Sequence, residues 1–232
     1  MTKTFVDRGG TFTDVVIVDD HGQLRVRKIR SDTAVVGDLA EGDLTFGTTV
    51  ATNALLERKG VRTLLVVNEG MGDLVHIGDM ARPDLFDPDS EYPAPLNADV
   101  LEVKGRINSS GQEVEPLQIP IWPPGAWDAV AIALLHSPRN PAHELALGKS
   151  IHAHFKNGDC PVPFVVLGHE VANGVGYLSR LDVALLHASI TPVLHAAMVR
   201  DRIPADAKAM RSDGSLCPAP ELTAPDAVLS GP

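Results

Sequence analysis

Asp7-Arg8-Gly9-Gly10-Thr11-Phe12-Thr13-Asp14 (DRGGTFTD) decides how this chain is read, because it joins two stretches of strand character. Upstream, Lys3 to Val6 alternates briefly; downstream, Thr11 to Val18 (TFTDVVIV) is β-branched and apolar. Asp19, Asp20, His21 and Gly22 supply turn residues, and Gln23 to Arg30 alternates again. Lys3 to Arg30 is therefore expected to form three strands joined by tight turns, the first turn glycine-rich. Paired glycines let the backbone turn sharply and come close to an anion. The N–H groups of Gly9, Gly10 and Thr11 can form a concave anion site, to which Thr11 and Thr13 add hydroxyl donors. Asp7, at the end of the first strand, is placed to hold Mg2+ through water. For Gly-Gly alone, a plain hairpin turn is the better reading. The full string, a few residues into the chain, points to phosphate binding.

Further along, Ser31 to Gly42 is polar, and Leu44 to Gly47 fits a short strand. A helix is expected over Thr49 to Lys59, capped by Thr48 or Thr49 and stopped by Gly60. Val61 to Val67 (VRTLLVV) reads as a buried strand, so the strand, helix, strand order suggests parallel pairing through a right-handed crossover. Ala81 to Ala98 reads as a loop, and Val100 to Ile107 and Gln112 to Leu117 flank Asn108-Ser109-Ser110-Gly111 as a hairpin. Ile119 to Trp127 is a Pro/Trp-rich link before a buried strand, Ala129 to Leu135. Asn140-Pro141 opens a helix that runs to about Lys156, where Asn157-Gly158 ends it. Pro163 to Leu167 is the next strand, and Val175 to Arg200 is helical with a bend at Pro192. After Ile203 the prolines accumulate and order is expected to fall away. Interleaved strands and helices make the class α/β.

Thirty acidic against twenty basic residues give a net charge of −10, which argues against nucleic acid as a partner. Arg25, Arg27, Lys28 and Arg30 read as a solvated strand face. Cys160 and Cys217 lack metal-ligand spacing, so reduced thiols are expected. The start, MTKTFVDRGG, lacks the apolar run of a signal peptide, and no apolar stretch is expected to approach the roughly 20 residues that span a bilayer. A cytoplasmic protein is the expectation. Thr48, Thr49 and Asn53 begin a helix beside a strand end and either face a substrate or phosphate or serve as caps. His169 and Glu170 follow a buried strand and either do acid/base work or cap the long helix. His152 and His154 point to different helix faces, which disfavours a zinc site.

DRGGTFTDVV resembles the first phosphate motif of the hydantoinase A/5-oxoprolinase family, within the sugar kinase, heat-shock and actin superfamily. The resemblance continues in order through Gly47 to Lys59 (GTTVATNALLERK), Arg82-Pro83, Ala131 to Glu144 (AIALLHSPRNPAHE) and His169-Glu170-Val171. It ends with Arg180, Ser212-Asp213-Gly214 and Leu229-Ser230-Gly231-Pro232, so it covers nearly the whole chain. It implies an actin-like, ribonuclease H-like N-terminal lobe with an inserted small α/β unit, incomplete at the C-terminus. The implied division is 1–60 for the first part of the lobe, 61–167 for the inserted unit and 168–232 for the start of the hydantoinase A region.

Its implied activity is ATP-dependent opening of a cyclic amide such as 5-oxoproline or a hydantoin, with ATP and Mg2+ as cofactors. Asp7, Gly9, Gly10, Thr11, Thr13 and Asp14 would hold phosphates and metal. Asp7, Thr11, His169 and Glu170 are the candidate catalytic residues. A related branch activates ketones for carboxylation. The sequence departs from the family where Arg30 to Leu44 is short by about a helix, at Trp122 to Trp127, at Gly78-Asp79-Met80-Ala81 and at Ser215. The second phosphate motif and adenosine site of the family lie beyond the residues that match. That implies a complementary lobe or hydantoinase B-type subunit as partner, or else a non-catalytic binding module.

Overall fold

Val6, Val15, Ile17, Leu44 and Phe46 are buried at alternate positions of their strands, the period of a sheet with one covered face. The computed structural model describes residues 1–81, 86, 94–96, 99–123, 125–156, 160–172 and 176–228. Arg82-Pro83, Asn157-Gly158, Val175, Leu229 to Pro232 and most of the loop expected over Ala81 to Ala98 lie outside the described residues. The chain divides into two units, Met1–Lys59 with Ile190–Pro232, and Gly60–Ser189.

The first unit opens with β1 (Lys3–Arg8), β2 (Phe12–Val18), β3 (Leu24–Arg30), α1 (Val36–Leu39), β4 (Asp43–Thr48) and α2 (Val50–Leu56). The second contains β5 (Thr63–Asn68), α3 (Leu74–Ile77), β6 (Asp99–Val103), β7 (Arg106–Ile107), β8 (Glu113–Glu115) and β9 (Ala129–Ile132). It continues with α4 (Ala142–Lys156), β10 (Phe164–Leu167) and α5 (Gly168–Val171). The boundary back to the first unit falls within α6 (Tyr177–Arg200). β11 (Lys208–Met210), β12 (Leu216–Pro218) and α7 (Ala224–Ala227) follow.

The first unit's sheet has the order β12-β11-β4-β1-β2-β3. β1, β2 and β3 form the expected antiparallel meander, β4 joins β1 in parallel, and β11 joins β4 in parallel. The order β3-β2-β1-β4-β11 with β2 reversed is that of an actin-like, ribonuclease H-like lobe. β3 is an edge, and its residues Leu24 to Lys28 are all exposed. Arg25 pairs with Glu41, Lys28 with Asp14 and Arg30 with Asp32, a charged rim that suits an unpaired edge.

The second unit's sheet, β10-β9-β5-β6, is parallel throughout. All six residues of β5 are buried because both faces of the sheet are covered. Leu64 and Val66 pack with Ile132, Leu147, Ile151 and the two tryptophans on one side. Leu65 and Val67 pack with Ala131, Leu181, Ala184 and Ala188 on the other. Each such fully buried Leu or Val contributes roughly 1.5–3 kcal/mol.

β4 and β5 belong to different sheets, so β4-α2-β5 is no parallel crossover; β4 takes β1 and β11 as its neighbours. The chain after Ile203 is ordered, since β11 finds a parallel partner in β4 and β12 adds to it. α2 ends at Leu56 rather than Lys59, and Arg58, not Gly60, takes the left-handed conformation that closes it (φ 53°). Val100 to Ile107 splits into β6 of the parallel sheet and β7 of the hairpin with β8. α6 is long and apolar enough to cross a membrane by length and composition, with mean hydropathy 1.4 over its most apolar window. Its apolar face serves the core instead, through Leu181, Ala184 and Ala188.

Candidate functional site

β1 and β2 run in register up to Arg8↔Thr13, and Gly9 N–H closes the turn on Phe12 O at 3.0 Å. That bond removes Gly9 from the three anion donors expected, because its N–H is spent inside the turn. The N–H groups of Gly10 and Thr11 make no hydrogen bond among the described residues. Ser31 braces the loop from below: its N–H donates to Thr11 O (2.9 Å) and its hydroxyl to Gly9 O (2.8 Å). Thr13 is fully buried with its hydroxyl 2.9 Å from Ser31 Oγ. It holds the turn from within, whereas Thr11 is exposed.

Asp7 and Asp14 lie directly opposite on β1 and β2, so their carboxylates share one face of the sheet. Lys28, opposite Asp14 on β3, reaches Asp14 at 3.1 Å. Oδ1 of Asp7 is buried and has no hydrogen-bond partner among the described residues. Burial, and then the neighbouring Asp14, raise the Asp7 pKa above the usual carboxylate value, against the opposing pull of Lys28. No group of three His, Cys, Asp or Glu side chains suited to a metal occurs among the described residues. Mg2+ commonly needs only one or two carboxylates, with waters and phosphate oxygens completing its shell. Asp7 and Asp14 fit that requirement.

Arg8 fixes the loop to the rest of the first unit. Its Nε lies 2.8 Å from Asp201 Oδ2, and its other nitrogens donate to Ala34 O (3.1 Å) and Ser31 O (3.2 Å). Arg8 O accepts both the N–H (3.1 Å) and the hydroxyl (3.3 Å) of Thr49. Thr49 thus occupies the N-cap position of α2 without capping it, and Thr48, itself buried, accepts Val50 N–H at 3.2 Å. Asn53 Nδ2 donates to Thr49 Oγ1 (3.3 Å) and would stand 3.2 Å from a Cβ placed on Gly10. A cavity of about 450 Å3 opens here, lined among others by Gly9, Gly10, Thr49, Asn53, Arg8 and Asp201. Four residues singled out by separate motifs, Gly9, Gly10, Thr49 and Asn53, therefore share one cavity. Ser31 and Asp201 carried no signal in the sequence, being an ordinary polar residue and one acid among many.

His169 and Glu170 belong to the second unit. They belong to α5, a turn of its own ahead of α6. Glu144 of α4 is fully buried and accepts Leu134 N–H (2.9 Å), His169 N–H (2.9 Å) and His169 Nδ1 (2.6 Å). That bond to Glu144 raises the His169 pKa, with burial opposing. Glu170 is exposed. Glu144, the end of one quoted motif, is the member of this cluster that sequence reasoning left without a role.

The sequence model of the hydantoinase/oxoprolinase N-terminal region matches residues 3–155. 5-Oxoprolinase 1 of Arabidopsis thaliana is 30% identical over 98% of this chain, and caprolactamase subunit alpha of Pseudomonas jessenii is 31% identical over 82%. The chain spans only 22% and 31% of those two relatives. The crystal structure of the ATP-dependent caprolactamase from Pseudomonas jessenii superposes with a TM-score of 0.76 at 26% identity, over 99% of this chain and 38% of that one. A nucleotide-free acetone carboxylase structure matches with the same TM-score at 18% identity, over 98% of this chain and 38% of that one, a likeness of fold. Motif order, strand order and the family match agree: this chain belongs to the hydantoinase/oxoprolinase family and carries its N-terminal region.

Proposed function

We propose that the first unit binds the phosphates of ATP and an associated Mg2+, as the N-terminal part of an ATP-dependent enzyme that opens cyclic amides. The observation that carries this reading is the Asp7–Asp14 pair, two carboxylates set face to face with one buried oxygen that has no donor among the described residues. Like charges directly opposite on a sheet destabilise it, and a dication removes that penalty. Gly10 and Thr11 would supply N–H groups to phosphate oxygens, and Thr11 its hydroxyl. Asn53 and Thr49 would border the ligand beside Gly10, in a cavity whose described lining includes neither Asp7 nor Asp14. When bound, ATP supplies the phosphoryl group and Mg2+ the charge that screens its oxygens. A lobe bearing a second phosphate motif, or a hydantoinase B-type subunit, is the partner we propose. Free Cys160 and Cys217 suit the reducing cytoplasm we propose for it.

Two measurements test the proposal. In the chain by itself, Asp7→Asn relieves the repulsion with Asp14, so the variant should unfold at higher urea than wild type when Mg2+ is absent, and gain nothing from added Mg-ATP. Complemented by a lobe with the second phosphate motif, the wild-type chain should hydrolyse ATP in response to 5-oxoproline or a hydantoin. Asp7→Ala should lower that rate by about 10²–10³. Undiminished activity in Asp7→Ala would overturn the assigned role. Hydrolysis only with a ketone and bicarbonate would replace the cyclic amide by a carboxylase substrate.

A further inference from the structure

The second unit carries a pocket of its own at the carboxyl ends of its parallel strands. From β5 the chain moves to β6 on one side, while β9 and β10 lie on the other, so the connections part between β5 and β9. Open α/β sheets bind ligands outside the strand ends at such a point. The two strand ends are laced together there: buried Asn68, closing β5, accepts Leu135 N–H at 2.7 Å. His136 takes a left-handed conformation (φ 59°), an uncommon state for a residue with a side chain that tends to persist at functional sites. Its carbonyl accepts Arg139 N–H (2.9 Å) and Asn140 N–H (3.2 Å), and Asn140 Nδ2 ties the loop to Gly111 O (2.9 Å).

The resulting cavity of about 450 Å3 is lined by Leu135, His136, Pro138, Arg139, Tyr177 and Arg180, with Ser109 at its rim. That volume is within the roughly 300–1,000 Å3 of small-molecule sites. Arg180 is fully buried, holds Leu134 O at 2.9 Å and lies 5.6 Å from the centre of the Tyr177 ring. Arg139 is exposed at the mouth. No Asp or Glu is among the described lining residues, and the one carboxylate that offsets the Arg180 charge, Glu144, is fully buried behind it. Leu135, Pro138 and the Tyr177 ring make the remaining wall apolar.

We propose that this pocket binds a small organic carboxylate, its charge toward Arg139 and Arg180 and its carbon skeleton against Leu135, Pro138 and Tyr177. Guanidinium groups match a carboxylate in shape as well as charge, and the apolar wall favours an organic acid over free phosphate. Taking a cyclic-amide acid as the ligand rests on the reading above, but the site lies wholly within the second unit, and its test uses no nucleotide. Titration calorimetry of the 232-residue chain should show saturable binding of 5-oxoproline, with much weaker heats from uncharged caprolactam and from inorganic phosphate. Arg139→Ala, an exposed change, should weaken 5-oxoproline binding roughly 10- to 100-fold. Arg27→Ala, on the exposed edge strand, should leave it unchanged. Lack of saturable binding, equal affinity in Arg139→Ala, or tighter binding of phosphate or caprolactam would each overturn the assignment.

Discussion

Arg8→Met is expected to destabilise the first unit by about 3–5 kcal/mol. The wild-type pair lies 2.8 Å apart, with the Arg8 side chain 11% and the Asp201 side chain 5% exposed. At an effective dielectric constant near 20, two unit charges at that distance attract by about 6 kcal/mol. Dehydrating each ion costs several kcal/mol, so the pair as a whole adds little beyond an apolar replacement. Removing one partner is another matter. Asp201 keeps its burial without its counter-charge, and the carbonyls of Ser31 and Ala34 each lose a donor at about 1 kcal/mol. Burial already raises the Asp201 pKa, with Arg8 and then Arg200 holding it down, so the variant raises it further. A carboxylate whose folded pKa exceeds its unfolded value destabilises at neutral pH and is relieved as pH falls through the folded pKa. The loss in Arg8→Met should accordingly shrink on acidification, and Arg8→Met/Asp201→Asn should recover much of it. Urea unfolding followed by far-ultraviolet circular dichroism reads this, since both tryptophans, Trp122 and Trp127, belong to the second unit. A loss below about 1 kcal/mol, or strictly additive single variants, would refute the reasoning.

Gly9→Ala puts a Cβ 2.9 Å from Phe12 O, a backbone atom fixed in the ladder, and should cost about 1–3 kcal/mol. In Gly10→Ala the new atom meets only the end of the Asn53 side chain at 3.2 Å, so thermal unfolding should separate the two variants clearly. The raised pKa of His169 adds stability that is fully present below about pH 6.5 and is lost as pH rises through the folded pKa. Tryptophan emission during urea unfolding should show the midpoint falling over that window, and His169→Gln should flatten the fall.

The meander was legible because the β-branched run Val15 to Val18 lies between the glycine-rich turn and the turn residues Asp19 to Gly22. α4 was legible because Asn140 and Pro141 mark its start, and Asn140 Oδ1 does accept Ala142 N–H at 3.1 Å. The separation of β4 from β5 was not legible, since a strand, a helix and a strand read alike whether the last one returns to its own sheet or begins another. β11 and β12 escaped because each is three residues long within a stretch bounded by Pro204 and Pro220, so β11's pairing with β4 and β12's with β11, rather than local propensity, order them. The glycine-rich turn identified itself by composition. What holds it did not, because Arg8 and Asp201 stand 193 positions apart, a separation no local pattern spans.

The placement of the second unit between α2 and β11 also orders events on the ribosome. β4 ends at Thr48, yet its parallel neighbour β11 begins at Lys208, 160 positions later. At roughly 5–20 residues per second, about 8–32 s of synthesis separates the two strands. Through that interval one side of β4 has no strand to pair with, while Gly60 to Ser189 emerges as one continuous stretch able to collapse at once. The nascent chain thus presents a waiting sheet edge, the kind of surface that chaperones shield and that neighbouring nascent chains can capture.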